Sequence, residues 1–391
     1  MSLVSLATLA PAPDVARLTG LLERLVEIDT QNPPGREVEA AALLASELQA
    51  VGFVTEVRPV GDGRANVVGR IDNGEGPCFA FNSHMDTVPV GGGWTSDPFR
   101  LTERDGKLFG RGACDAKGPI VAMAEAGRLL ALQRDHWRGT LIMMFVADEE
   151  INGGGSRALA KQGPTPDLIV IGEPTNNAVF AAHKGCLRPL VRAKGKAAHS
   201  GRPELGVNAI LAASQLMSLF DARDRELRRL HHPLVGHASL SVTRIAGGIG
   251  DNVIPENCEM VLDRRLLPGE TLDAALDDLH GLLDRAKREH GVDTEIAAIR
   301  TKAGSAETAL DEPLVRDAVA ISRAHGVTFP QPGGLTGGCD LVHFHDVGAV
   351  GIVLGPGSLD VAHQPDEYVP KDELACAALI YRDIVLAMMR P

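Results

Sequence analysis

In the stretch "FNSHMDTVP", residues 81–89, a histidine and an aspartate stand two positions apart at the end of an apolar run. Residues i and i+2 of a strand point to the same side, so His84 and Asp86 can converge on one point. That point is open to a metal, a proton or a salt-bridge partner. Other acidic residues recur after apolar runs in the same way. Asp115 follows the glycine-rich start of "FGRGACDAKG", Asp148, Glu149 and Glu150 follow "TLIMMFVA", and Glu173 follows "DLIVIG". Carboxylates crowded into one crevice repel one another strongly unless cations sit among them. Imidazole together with carboxylate oxygens suits Zn²⁺ or a similar divalent ion. Singly, a strand-end histidine is an ordinary polar residue and "DEE" a helix start or solvated cluster. The joint pattern carries the metal reading. "GRGACDAKG" fails as a dinucleotide fingerprint, because Asp115 occupies the place of the third glycine, and no G-x-S-x-G elbow is present.

Elements must bring these residues together. Helical periodicity covers 14–26 and 38–51, the latter stopped by Gly52, and further helices are expected at 116–132 and 156–162. Between them "RANVVGRI", "CFAFNSH", "TLIMMFVA" and "DLIVIGE" read as strands that are almost continuously apolar. Such strands alternating with helices predict a doubly wound sheet buried on both faces, with ligands bound beyond the carboxyl ends of its strands. After Lys184 the texture changes. Strand 186–193, helix 206–220, strands 238–245 and 257–265, helix 272–289 and strand 293–299 give the ferredoxin-like order β-α-β-β-α-β. The larger domain then resumes with a helix at 312–325, the strand "AVGIVLG" and a C-terminal helix at 371–389. The expected architecture is an α/β catalytic domain with a doubly wound mixed sheet, residues 1–184 and 300–391, interrupted by an α+β insert at 185–299. No internal repeat or low-complexity linker is visible.

At 391 residues the chain exceeds the size at which one core stops growing, which also calls for two domains. A formal net charge of −12 argues against a nucleic-acid partner, since phosphate binding needs a basic surface. "RDRELRR" mixes signs and reads as a solvated helix face. The six cysteines are scattered with no CxxC pair, which suggests neither a zinc ribbon nor a disulfide framework and fits a reducing compartment. "MSLVSLATLAPAP" lacks the basic start of a signal peptide, no segment approaches the ~20 apolar residues of a membrane span, and "KDEL" is internal. A soluble, cytoplasmic protein without a membrane partner is expected.

Five segments, "SHMDTVP", "GRGACDAKG", "ADEE", "GEPT" and "LGPGSLDVAHQPDEYV", resemble the co-catalytic metallohydrolases of the M20 peptidase family. The likeness is greatest to the branch of acetylornithine deacetylase and succinyl-diaminopimelate desuccinylase, and runs from about residue 21 to 385. It implies two divalent ions per chain, zinc or alternatively cobalt, bridged by Asp115. His84 and Glu173 would complete one site, and Glu150 and His363 the other. Glu149 would be the general base, and Asp86 would fix the tautomer of His84 from behind. The physics of such a site agrees. A bridging carboxylate suits two metals, and an unligated glutamate can take a water proton and deliver it to a leaving amine.

The insert resembles the family's lid and dimerisation domain. "KGKAAHSGRPELGVNAI" is similar to the lid segment, which implies that His199 reaches the partner subunit's active site in a homodimer. "DNVIPENCEMVLDRRLLPGE" would supply Asn252 and Arg265 to hold substrate, aided by Lys184 and by the backbone around Gly338. Their plainer alternatives are an ion pair of Arg265 with Asp263 or Glu259 and an ordinary loop histidine at 199. Asp148, His231, His232, His343 and His345 are expected to be structural. The resemblance implies hydrolysis of the amide bond of N-acyl amino acids. "TGGCDLVHF", however, is similar to the carboxypeptidase branch, so a metallo-carboxypeptidase or dipeptidase acting on short peptides is the alternative. A third reading is a non-enzymatic binding protein on the same fold, which would not need every ligand and Glu149.

Overall fold

A strand can bury consecutive residues only where both of its faces are covered. Cys78–His84 and Gly139–Val146 do so along nearly their whole length in the computed structural model, which describes residues 11–61 and 63–391. The N-terminal residues 1–10, on which the signal-peptide reading partly rests, lie outside the described residues. Cys78–His84 pairs in parallel with Gly139–Val146 on one side and with Leu168–Ile171 on the other, and Val350–Val353 extends the parallel set. Arg64–Asn73 and then Val54–Gly61 add antiparallel strands beside Gly139–Val146. Phe180 adds antiparallel pairing beside Val353. The fold is α/β with a mixed sheet.

Parallel neighbours need long crossovers, and helices supply them. Lys117–Ala131 links Cys78–His84 to Gly139–Val146, and Gly154–Gln162 links Gly139–Val146 to Leu168–Ile171. The first connection runs one way along the sheet and the second runs back past Cys78–His84. With right-handed crossovers their helices must cover opposite faces, which makes the carboxyl end of Cys78–His84 a topological switch point. Lys117–Ala131 is buried over almost its whole length, between the sheet and the C-terminal helix Lys371–Met388. A small antiparallel ribbon of Thr102–Arg104, Lys107–Phe109 and Tyr368–Pro370 was not foreseen from sequence.

The chain divides into two compact units, one comprising Met1–Ala181, Thr308–Gly333 and Cys339–Pro391, the other Ala182–Glu307 and Gly334–Gly338. The second unit carries Gly185–Lys194, Ala209–Leu227, Ser239–Gly247, Asn257–Leu266, Leu272–His290 and Asp293–Ala303. Its four strands form an antiparallel sheet in the order Ser239–Gly247, Asn257–Leu266, Gly185–Lys194, Asp293–Ala303. Burial alternates along Gly185–Lys194, so one face packs on the two helices through residues such as Val191, Phe220, Met260 and Leu283. Asn208 and Thr271 cap the helix starts with their side-chain oxygens. Gly291, at φ 64°, ends the second helix in the left-handed region that glycine adopts freely. Among the described residues no helix is long and apolar enough to cross a membrane.

Candidate metal centre

The parallel strands end on one side of the sheet, so the loops that follow them share a crevice. Cys78–His84 delivers His84 as its last residue and Asp86 just beyond it. Gly139–Val146 leads to Asp148, Glu149 and Glu150, and Leu168–Ile171 leads to Glu173. Asp115 comes from the turn before Lys117–Ala131, and His363 from the loop before Tyr368–Pro370.

Asp115 is central. Its Oδ1 lies 3.0 Å from His84 Nε2, and its Oδ2 lies 3.2 Å from His363 Nε2. Glu173 Oε1 stands 3.9 Å from His84 Nε2, and Glu150 Oε2 stands 3.2 Å from His363 Nε2. Two sets of donor atoms therefore meet back to back on one carboxylate. A tetrahedral ion with bonds of ~2.0–2.2 Å keeps its ligand atoms roughly 3.3–3.6 Å apart. The four separations, 3.0 to 3.9 Å, bracket that spacing. His84, Asp115 and Glu150 also each offer one atom within 4.8 Å of the others. Glu150 Oε1 is buried with no hydrogen-bond partner among the described residues. An orphaned acceptor among imidazoles and carboxylates fits a divalent cation.

Electrostatics point the same way. Burial pushes the carboxyls of Glu149 and Glu173 well above the usual range, with His84 pulling down and neighbouring like charge adding to the rise. Burial also raises Glu150. Asp115 goes the other way, because hydrogen bonds from His363 and His84 outweigh its burial. Asp115 and Glu150 lift His363 to about 10. Burial opposes a charge on His84, but Asp115 and Asp86 raise it well above an ordinary imidazole. The cluster draws positive charge to its middle.

The supporting contacts differ from expectation at Asp86. His84 Nδ1 is 2.9 Å from the main-chain carbonyl of Asp86, while the carboxylate Oδ1 is 3.6 Å away. At 3.6 Å there is no hydrogen bond, so the carbonyl sets the ring's orientation. The Asp86 carboxylate instead accepts from Glu149 N (3.0 Å), Glu150 N (3.2 Å) and Asn32 Nδ2 (2.8 Å). It holds the turn that presents both glutamates. Asp148 keeps that turn in a left-handed conformation (φ 65°), with its carboxylate 2.7 Å from Arg64 Nη1. Asn66 accepts from Ala147 N and donates to Gly155 O, both at 3.0 Å. Lys117 is buried and ties its Nζ to the carbonyls of Leu25 (2.8 Å) and Ile28 (3.0 Å). Asn32, Arg64, Asn66 and Lys117 were not singled out from sequence. Only Lys117 carried a signal, its place inside the motif quoted for Asp115.

The remaining candidates lie in the second unit and fall into two groups. His199 pairs with Val253 across a short ladder, and Ser200 N donates to Asn252 O at 2.9 Å, so His199 and Asn252 are exposed neighbours. Lys184, Gly338 and Arg265 form the other group. A Cβ on Gly338 would stand 3.4 Å from Lys184 O, and Arg265 pairs with Cys186 in the sheet. Burial and the charge of Arg265 lower the Lys184 ammonium, whose Nζ donates to His237 O at 2.5 Å. Arg265 Nε and Nη2 engage Asp263 at 2.7 and 3.3 Å. The ion pair weighed as its plainer role is therefore present, and a substrate carboxylate would have to share the guanidinium through Nη1. His232 pairs with Glu307 at 3.1 Å, and His231 packs edge-on against His237.

The profile of Peptidase family M20/M25/M40 matches residues 80–387. An acetylornithine deacetylase from Vibrio campbellii is 33% identical over 334 residues, which is 84% of this chain and 86% of that protein. Among solved structures, an aminopeptidase from Bacillus cereus superposes with a TM-score of 0.79 at 21% identity, covering 96% of this chain and 99% of that one. A dinuclear metal-binding peptidase of the M20 family from Bacillus subtilis gives 0.73 at 18% identity, covering 96% and 98%.

Proposed function

The chain belongs to peptidase family M20/M25/M40 and is a metal-dependent hydrolase, and from that premise we propose that it cleaves the amide bond of N-acyl amino acids of the acetylornithine type. One observation carries the reading. Asp115 offers separate oxygens to two imidazoles, each with its own glutamate, as two ions sharing a bridge would require. In this reading His84, Asp115 and Glu173 would hold one divalent ion, and Asp115, Glu150 and His363 the other, with zinc the expected metal. The dinuclear Bacillus subtilis relative supports the stoichiometry. When bound, such ions polarise a substrate carbonyl and make a water acidic at neutral pH.

The chain's own groups do the rest. Glu149 is held beside the ligands by its backbone bond to Asp86 and is left free of ligand duty. It takes the proton of the attacking water and delivers it to the departing amine nitrogen. Burial raises its carboxyl above an ordinary glutamate, which makes its carboxylate a stronger proton acceptor. Asp86 aligns the Glu149–Glu150 turn and, through its carbonyl, the ring of His84. His199 and Asn252 would face the reacting carbonyl, where hydrogen-bond donors help most, and Arg265, Lys184 and the backbone at Gly338 would take the substrate carboxylate. The second unit would act as lid and as the contact surface of a homodimer in the cytoplasm.

The competing reading, a carboxypeptidase or dipeptidase, rests on the "TGGCDLVHF" segment. A panel of N-acetylornithine, N-succinyl amino acids and dipeptides with free carboxyl termini, assayed on the zinc-loaded protein, decides between them. Turnover of dipeptides above the acyl amino acids would overturn the deacylase reading. Elemental analysis should find two divalent ions per chain, and exhaustive chelation should abolish turnover until zinc is restored. Full activity without metal would sink the two-ion site.

A further inference from the structure

Glu367 lies four residues beyond His363 and takes no part in the chemistry described so far, yet it is 1% exposed and hydrogen-bonded at both ends. Its Oε1 accepts from Cys114 N and from Asp115 N, both at 2.9 Å. Its Oε2 takes Nη1 of Arg111, itself 1% exposed. The main chain repeats the link. Gly110 N donates to Glu367 O at 3.0 Å, and Tyr368 pairs with Phe109 in the small ribbon. The loop that carries His363 is thus fastened, by backbone and by side chain, to the turn that carries Asp115.

A carboxylate is an expensive choice here. It is buried close to Asp115 in a molecule that already gathers Asp86, Glu149, Glu150 and Glu173 nearby. Stability alone does not call for it, since exchanging a buried ion pair for apolar residues of like volume is often neutral or stabilising. A carboxylate does offer one geometric property. It accepts two adjacent main-chain N–H groups on one side and a guanidinium on the other, with no donor of its own to misplace. That fixes the peptide from which the Asp115 side chain projects. Asp115 Oδ2 and His363 Nε2 are the atoms brought to 3.2 Å by the two segments so joined.

We propose that Glu367, clamped by Arg111, is a positioning residue that holds Asp115 and His363 in register for the ion they share with Glu150. The proposal rests on the two-ion reading. It goes beyond that reading by making the two ions unequal in their dependence on this clamp, because His84 and Glu173 come from strand ends that the clamp does not join.

Glu367→Gln tests it without opening a cavity. An amide has one acceptor end and one donor end, so either orientation sets its NH₂ against Arg111 or against the two main-chain donors. The metal-free protein is titrated with Zn²⁺ in competition with a chromophoric chelator, and the two dissociation constants are read. His363→Ala identifies which constant belongs to the Glu150–His363 ion. In Glu367→Gln that constant should weaken about 10–100-fold, the range typical when a partner behind a ligand is lost, and the other, which shares Asp115 but not His363, should weaken distinctly less. Two unchanged constants, or two that weaken alike, overturn the clamp. Circular dichroism checks folding. Should Glu367→Gln fail to fold, Arg111→Met keeps the carboxylate and removes only its cation, and the same selective weakening decides the matter. A wild-type protein that binds fewer than two ions defeats the two-ion reading itself. Two normal wild-type constants with insensitive variants defeat only the clamp.

Discussion

Glu149 shares a turn with Glu150, but only Glu150 has a carboxylate oxygen beside a ligand imidazole, at 3.2 Å from His363 Nε2. The proposed roles divide between these adjacent residues accordingly. Glu149→Ala should therefore retain two metal ions by elemental analysis while kcat falls roughly 10²–10⁴-fold, the usual share of general-base catalysis. Near-normal turnover would place the base elsewhere. A second residue makes a prediction of stability instead. Glu37 is fully buried, neither of its carboxylate oxygens has a hydrogen-bond partner among the described residues, and Arg64 Nη1 is 3.7 Å away. Burial, and then the charge of Asp86, raises its pKa from 4.5 to about 7. The folded state then keeps a proton that the unfolded chain releases, so stability falls as pH climbs through that window and stays lower above it. At about 1.4 kcal/mol per unit, the loss is roughly 3 kcal/mol. Glu37→Gln should raise the urea unfolding midpoint of the metal-free protein at pH 8 and leave it little changed at pH 4.5. A difference independent of pH would mean that Glu37 is not the titrating group.

At the level of elements, the turn after Gly139–Val146 depends on a side chain from another strand. Asn66 satisfies Ala147 N and Gly155 O, and both of its bonds are buried. Asn66→Ala would orphan two polar groups, each worth about 1–3 kcal/mol, so a destabilisation of about 3 kcal/mol is expected in denaturant unfolding. A loss below about 1 kcal/mol would show that water replaces the amide there. Contacts of this kind explain what the sequence could and could not reveal. Cys78–His84 is legible to the residue, because a continuous apolar run breaks into polar chemistry at the point where the strand ends. Val54–Gly61 has no such signature, being an edge strand with mostly exposed residues and a proline inside it. Phe180–His183 and the three-residue ribbon strands are too short to show a period. The residues brought together around Asp115 were each visible as motifs. Their supports were not, for Glu367 and Asp115 are 252 positions apart and nothing local marks either as the other's partner.

For the whole molecule the question is whether one chain suffices. In the second unit, Ser239–Gly247 forms one edge of the four-stranded sheet, and its residues beyond Val242 are exposed. Ile245 and Ile249 stand out from it, the latter 86% exposed, and Ile210 and Leu211 at the start of the neighbouring helix are exposed as well. Ile210 Cγ1 would lie 3.1 Å from a Cβ on Gly247, so helix start and strand edge make one apolar surface. An open edge bordered by apolar side chains invites pairing with another strand, and an identical chain can meet it across a two-fold axis. We therefore expect a homodimer through the second unit, with Ile245→Lys shifting sedimentation towards the monomer. If His199 acts across that axis, activity is a property of the pair. A His199→Ala chain keeps its own Glu149, and a Glu149→Ala chain keeps its own His199. A heterodimer of the two would contain one site with both groups and one with neither, so about half of the wild-type activity should return, although each homodimer is nearly inactive. Verified heterodimers that stay inactive would place His199 in its own subunit's chemistry. The dimer would then be an assembly of two independent enzymes.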